Sequence, residues 1–99
     1  MNINVNEVYS FKLSSGEELI SKVLRVTDDY LYLSNPVSVA PGPNGIGLVP
    51  SMFTAENDEE VRLNTNTVTL VAQTEDNVKM KYLEALTGIK VPSKKLILG

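Results

Sequence analysis

Tyr9, Phe11 and Leu13 alternate with Ser10 and Lys12, the two-residue period of a strand that buries one face. Ser14, Ser15 and Gly16 supply turn chemistry. The run Leu19 to Val26, interrupted by Ser21, Lys22 and Arg25, then predicts a long strand favoured by its β-branched residues. Thr27-Asp28-Asp29 breaks that run, with the aspartates expected to cap a turn. Tyr30 to Leu33 predicts a third strand with Leu31 and Leu33 on one face and Tyr30 and Tyr32 on the other. The three together read as a meander.

From Asn35 the stretch NPVSVAPGPNGIGLVP holds four of the five prolines and three of the six glycines, which predicts a connection with fixed turns about Pro41 to Gly45. Ile46 to Phe53 follows as a fourth strand, and Pro50, which has no N–H for a ladder, puts it at an edge or gives it a bulge. Glu56 to Glu60 reads as an acidic loop and Val68 to Ala72 as a fifth strand. The period then changes. Val78, Tyr82, Ala85 and Leu86 fall at helical spacing, with Thr74 or Asp76 as the expected cap and Gly88 as the stop. The fold class expected is mainly β, a small barrel or sandwich of five antiparallel strands with a C-terminal helix. Residues 1–99 form a single domain, with the strands over about 7–73, the helix over about 76–88 and an apolar tail over 89–99. Leu96, Ile97 and Leu98 are expected to dock on the domain or on a neighbouring subunit.

Composition narrows the chemistry. The chain has no cysteine and no histidine, so thiol nucleophiles and thiolate metal sites are excluded, together with the side chain most used as a general base near neutral pH. No catalytic residue, metal or cofactor is expected, and the protein is read as not an enzyme. No run of about 18 apolar residues occurs, and MNINVNEVYS lacks a basic then apolar pattern, so no membrane is expected as a partner. Residues 1–78 carry four basic and eleven acidic side chains, net −7, and residues 79–99 carry five and one, net +4. An acidic body with a basic end argues against indiscriminate binding of nucleic acid.

Leu13, Gly16, Asp28, Tyr30, Leu31 and Leu33, in the order strand, turn, long bent strand, Asp-x-Tyr strand, edge strand and closing strand, resemble the first motif of the Sm/LSm family. That resemblance implies an Sm-like (SH3-like) barrel of five strongly bent strands and a homo-oligomeric ring of about five to seven subunits. It also implies single-stranded RNA as a partner and a part in RNA processing or regulation. The sequence departs from the family at two places. Tyr32 stands where the family carries its base-contacting asparagine, and VRLNTNTV offers Arg62 without the glycine of the second motif. The family's helix precedes the barrel, whereas here it follows. NPVSVAPGPNGIGLVPSMFTA and NVKMKYLEALTGIKVPSKKLILG are similar to short uncharacterised proteins of marine cyanophages with contractile tails. That likeness implies a phage origin and the cytoplasm of an infected host cell.

The candidate RNA-binding residues are Tyr30 and Tyr32, as stacking platforms for unpaired bases, and Arg62, Asn64 and Asn66, as hydrogen-bond donors to a nucleotide or phosphate. Sheet-packing tyrosines and a plain asparagine-rich loop are the bland alternatives. Lys79, Lys81, Lys90, Lys94 and Lys95 form a weaker candidate for a basic face. Neither the glycine-rich GPNGIG nor the acidic cluster Glu56, Asp58, Glu59 and Glu60 has the pattern of a phosphate or calcium loop. An open five-stranded sheet leaves two edges to be covered. The subunit interface is therefore assigned to Ile46, Leu48, Val49, Met52 and Phe53 of the fourth strand, pairing with Val68 and Leu70 of the fifth strand of the next subunit. The alternative function is an oligomeric scaffold or structural phage protein that binds no nucleic acid.

Overall fold

The computed structural model describes residues 2–56 and 60–88. Within them β1 (Val8–Leu13), β2 (Glu18–Val26) and β3 (Tyr30–Gly42) form an antiparallel meander. Six strands are present where the sequence predicts five. They are completed by β4 (Gly45–Pro50), β5 (Val61–Asn64) and β6 (Val68–Gln73), with a short 3-10 turn over Thr65–Thr67 between the last two. The strand order is β4-β3-β2-β1-β6, and β5 also pairs with β3. Every pairing is antiparallel.

The unexpected strand follows from the length of β3. Its first part, Tyr30 to Leu33, pairs with β5, and its second part, Val37 to Gly42, pairs with β4. Two short strands therefore lie end to end along one edge of a single long one. The prolines in NPVSVAPG predict a break there, yet β3 continues, because beyond Ser38 it no longer pairs with β2. Pro41 then needs no N–H on the open side. The turn falls inside the predicted window: Gly42 faces Gly45 across a two-residue hairpin loop, and Gly45 takes φ 115, a conformation that glycine adopts at little cost.

Two bulges shape the β2–β3 ladder. Ile20 opposes Val37 and Lys22 opposes Ser34, so β3 carries an extra residue opposite Ser21. Asn35, at φ 52, sits in that bulge, in the left-handed region that asparagine tolerates better than most residues. The extra residue reverses which face β3 presents. Leu31 and Leu33, before it, join Tyr9, Phe11, Leu19 and Val23 in one buried cluster. Val37, after it, joins Val8, Ile20 and Tyr82 in a second cluster on the opposite face.

Helix α1 (Asp76–Gly88) covers that second cluster through Val78, Tyr82 and Leu86. Three of the four apolar positions predicted from helical spacing make this contact. Tyr82 is fully buried. The cap differs from expectation, because the Glu75 carbonyl accepts the first helical bond, from Lys79 N–H at 2.8 Å. Thr74 instead turns its hydroxyl to Ser10, 3.0 Å away. Ile3 packs against the first cluster, and the Asn4 N–H donates to the Tyr9 hydroxyl at 2.9 Å. The predicted tail over residues 89–99, with Lys90, Lys94 and Lys95, lies outside the described residues, as do Asp58 and Glu59.

Candidate nucleic-acid interface

The second bulge builds the surface on which the candidate residues meet. Val23 opposes Leu33 while Arg25 opposes Tyr32, so Leu24 is the extra residue, this time on β2. Arg25 thereby lands beside Tyr32 on the face away from the core. Across β3 from it, β5 places Arg62 opposite Tyr32 and Asn64 opposite Tyr30. Four of the five residues brought together, all but Arg25, are ones that the sequence singles out, although they are far apart along the chain.

The geometry is a ladder of rings and guanidinium groups. Arg25 Cζ lies 3.9 Å from the centroid of the Tyr32 ring, and Arg62 Cζ lies 5.1 Å from the centroid of Tyr30. The two tyrosine rings are 6.3 Å apart and tilted by 59°. Both distances are within the range where a cation is attracted to the negative face of an aromatic ring. Arg25 Nη2 also donates to Glu60 Oε1 at 3.1 Å, and this bond pushes its pKa further up. Among the described residues, Arg62 has no ion pair.

Asparagines contribute differently from expectation. Asn64 Oδ1 accepts from the Asn66 N–H at 2.9 Å and so caps the 3-10 turn, which spends its oxygen on local structure. Asn66 is exposed on that turn. The turn is tied to the β2–β3 loop by Thr65, whose hydroxyl donates to the carbonyls of Asp28 and Asp29 at 3.0 and 3.1 Å. Within that loop Thr27, and not either aspartate, makes the capping contact: its Oγ1 accepts from Tyr30 N–H at 3.0 Å.

No family model and no curated protein matches this chain. The chemistry of the site therefore rests on its own residues. Two flat cations stacked on two rings can hold a planar group against a guanidinium face and a phosphate against its N–H edge. Among the described residues no cluster of acidic side chains is placed to hold a metal ion, and no helix is long and apolar enough to cross a membrane.

Arg25 and Glu60 are the residues that sequence reasoning missed. Regular counting pairs Leu24 with Tyr32, and only the bulge brings Arg25 there. Glu60 reads as part of a solvated acidic loop until β5 carries it across.

The candidate interface residues lie on two edges of the open sheet. Ile46 and Val49 are exposed on β4, and Met52 and Phe53 follow it, with Phe53 73% exposed. On β6, Leu70 is 67% exposed. Two of the seven instead contribute to the interior: Leu48 packs against the cluster under α1, and Val68 against the other. No ladder joins β4 or β5 to β6 among the described residues.

Proposed function

We propose that the protein is a non-catalytic, Sm-like subunit of a homo-oligomeric ring, of phage origin, that binds single-stranded RNA on its tyrosine–arginine face in the infected cell. The observation that carries the reading is the pair of edges that have no partner strand among the described residues. β4 and β6 terminate the strand order, and both present apolar side chains to solvent. Such edges invite pairing. Pairing β4 of one subunit with β6 of the next continues the sheet, and a head-to-tail contact of this kind closes into a ring when the rotation allows. Bulged antiparallel strands also support the Sm-like assignment, and a ring of about five to seven subunits is the size proposed.

RNA binding is supported by the Arg25, Tyr32, Tyr30 and Arg62 ladder, because bases stack on rings and guanidinium planes alike. A scaffold that binds no nucleic acid is favoured by one feature of the same surface: Arg25 already covers a face of Tyr32. Titration of labelled single-stranded RNA across a salt series separates the two readings. The RNA reading expects affinity to fall with salt, with a log–log slope of about −0.7 for each phosphate contacted. No binding by assembled protein at low salt would leave the scaffold.

A further inference from the structure

Glu60 precedes β5 and reaches across the outer face of β3 to Arg25, with Nη2 and Oε1 3.1 Å apart. The side chains are 57% and 42% exposed, so water and salt reach the pair and it is weak. A phosphate oxygen offers Arg25 a charge-assisted bond of at least equal strength. Arg25 is already positioned for such a ligand, since its guanidinium lies over the Tyr32 ring, 3.9 Å from the centroid. While the pair is closed, however, Glu60 offsets the charge of Arg25, and of the two arginines of the ladder Arg62 is the one with no ion pair among the described residues.

We propose that Glu60 sets the anion affinity of this face: it keeps Arg25 from the phosphates of single-stranded RNA, and its displacement recruits Arg25 as a second cation beside Arg62. The proposal rests on the RNA-binding reading above and assigns Glu60 as a positioning residue that acts through Arg25. A merely structural Glu60 would tie the loop before β5 to β2. Its removal would then alter local stability and leave the number of phosphate contacts unchanged.

The test is fluorescence anisotropy of a labelled single-stranded RNA, over a salt series, with wild type, Glu60→Gln and the double variant Arg25→Gln/Glu60→Gln. The exchange at Glu60 is near-isosteric and exposed, and thermal melts of each variant check the fold. Glu60→Gln is expected to bind about two- to fivefold more tightly at low salt, with a log–log slope steeper by about 0.7. The double variant should lose both gains. Wild type that binds RNA, with Glu60→Gln unchanged in affinity and slope, overturns the proposal and leaves the RNA reading standing. A gain that persists in the double variant also overturns it, because that variant has the net charge of wild type and no Arg25, so the gain would not act through Arg25. Binding by Glu60→Gln where wild type binds nothing supports it, and no binding by either protein overturns both readings.

Discussion

The Tyr82 hydroxyl donates to the Ser34 carbonyl at 2.7 Å while accepting from the Lys22 N–H at 3.1 Å. Lys22 and Ser34 face each other across the β2–β3 ladder beside the Asn35 bulge. The phenol thus joins the two backbone groups from the helix side, and Ser21 Oγ reaches the same Ser34 carbonyl at 3.0 Å. Helix docking and strand bending are one arrangement.

Tyr82→Phe keeps the ring and removes the bridge. It should lower stability by about 1–3 kcal/mol, the cost of leaving the Lys22 N–H without this partner, while the Ser34 carbonyl keeps its bond from Ser21 Oγ. Tyr82→Ala, which also empties the volume under α1, should cost about 3–5 kcal/mol. Urea unfolding followed by circular dichroism measures both.

Burial pushes the Tyr82 phenol above its ordinary pKa, opposed by the Lys22 backbone N–H and the neighbouring Ser21 hydroxyl. An unfolded tyrosine loses its proton near pH 10. Above that pH the unfolded chain binds fewer protons at this site than the folded one, so stability falls as pH rises toward the raised native value. Below it the contribution is complete. Melting temperatures from pH 8 to 11 should fall more steeply for wild type than for Tyr82→Phe, and parallel curves would remove Tyr82 as the cause.

Asn35 holds the left-handed conformation that reverses the face of β3. Asn35→Gly should be tolerated within a few tenths of a kcal/mol or stabilise slightly. Asn35→Val should cost roughly 1–2 kcal/mol or more, because a β-branched residue is strained there. Chemical denaturation of the pair tests the assignment, and equal stability of the two variants would count against it.

Tyr32 stands between Arg25 and Arg62 on the outer face. Tyr32→Ala should weaken binding of single-stranded RNA roughly tenfold, the loss of one stacked base. Unchanged affinity in a folded variant would remove Tyr32 from the site.

Strands β1 and β2 and helix α1 were legible in the sequence because each carries a clean period: Tyr9 and Phe11 at two, Val78, Tyr82 and Leu86 at four. The full length of β3 was not, because Pro36 and Pro41 read as breakers. One lies beside the bulge and the other beyond the end of the β2 ladder, where a missing N–H costs little. β5 was hidden for a different reason. VRLN is four residues long, and its pairing partner is decided by the return of the chain to Tyr30 to Leu33 and not by local propensity. The candidate site followed the same division. Both tyrosines and Arg62 were visible as residue types, while Arg25 and Glu60 depended on a one-residue bulge that no alternation pattern reveals.

Assembly through the β4 and β6 edges is the central claim, and the mass of the protein in solution tests it most directly. Light scattering behind size exclusion, at micromolar concentration, should give a single species at a whole-number multiple of the 10.8 kDa chain, of about five to seven copies. Leu70→Lys, on the β6 edge, should fold with stability changed by no more than about 0.5 kcal/mol and shift the mass toward one chain. Wild type that elutes as a 10.8 kDa monomer would contradict the account.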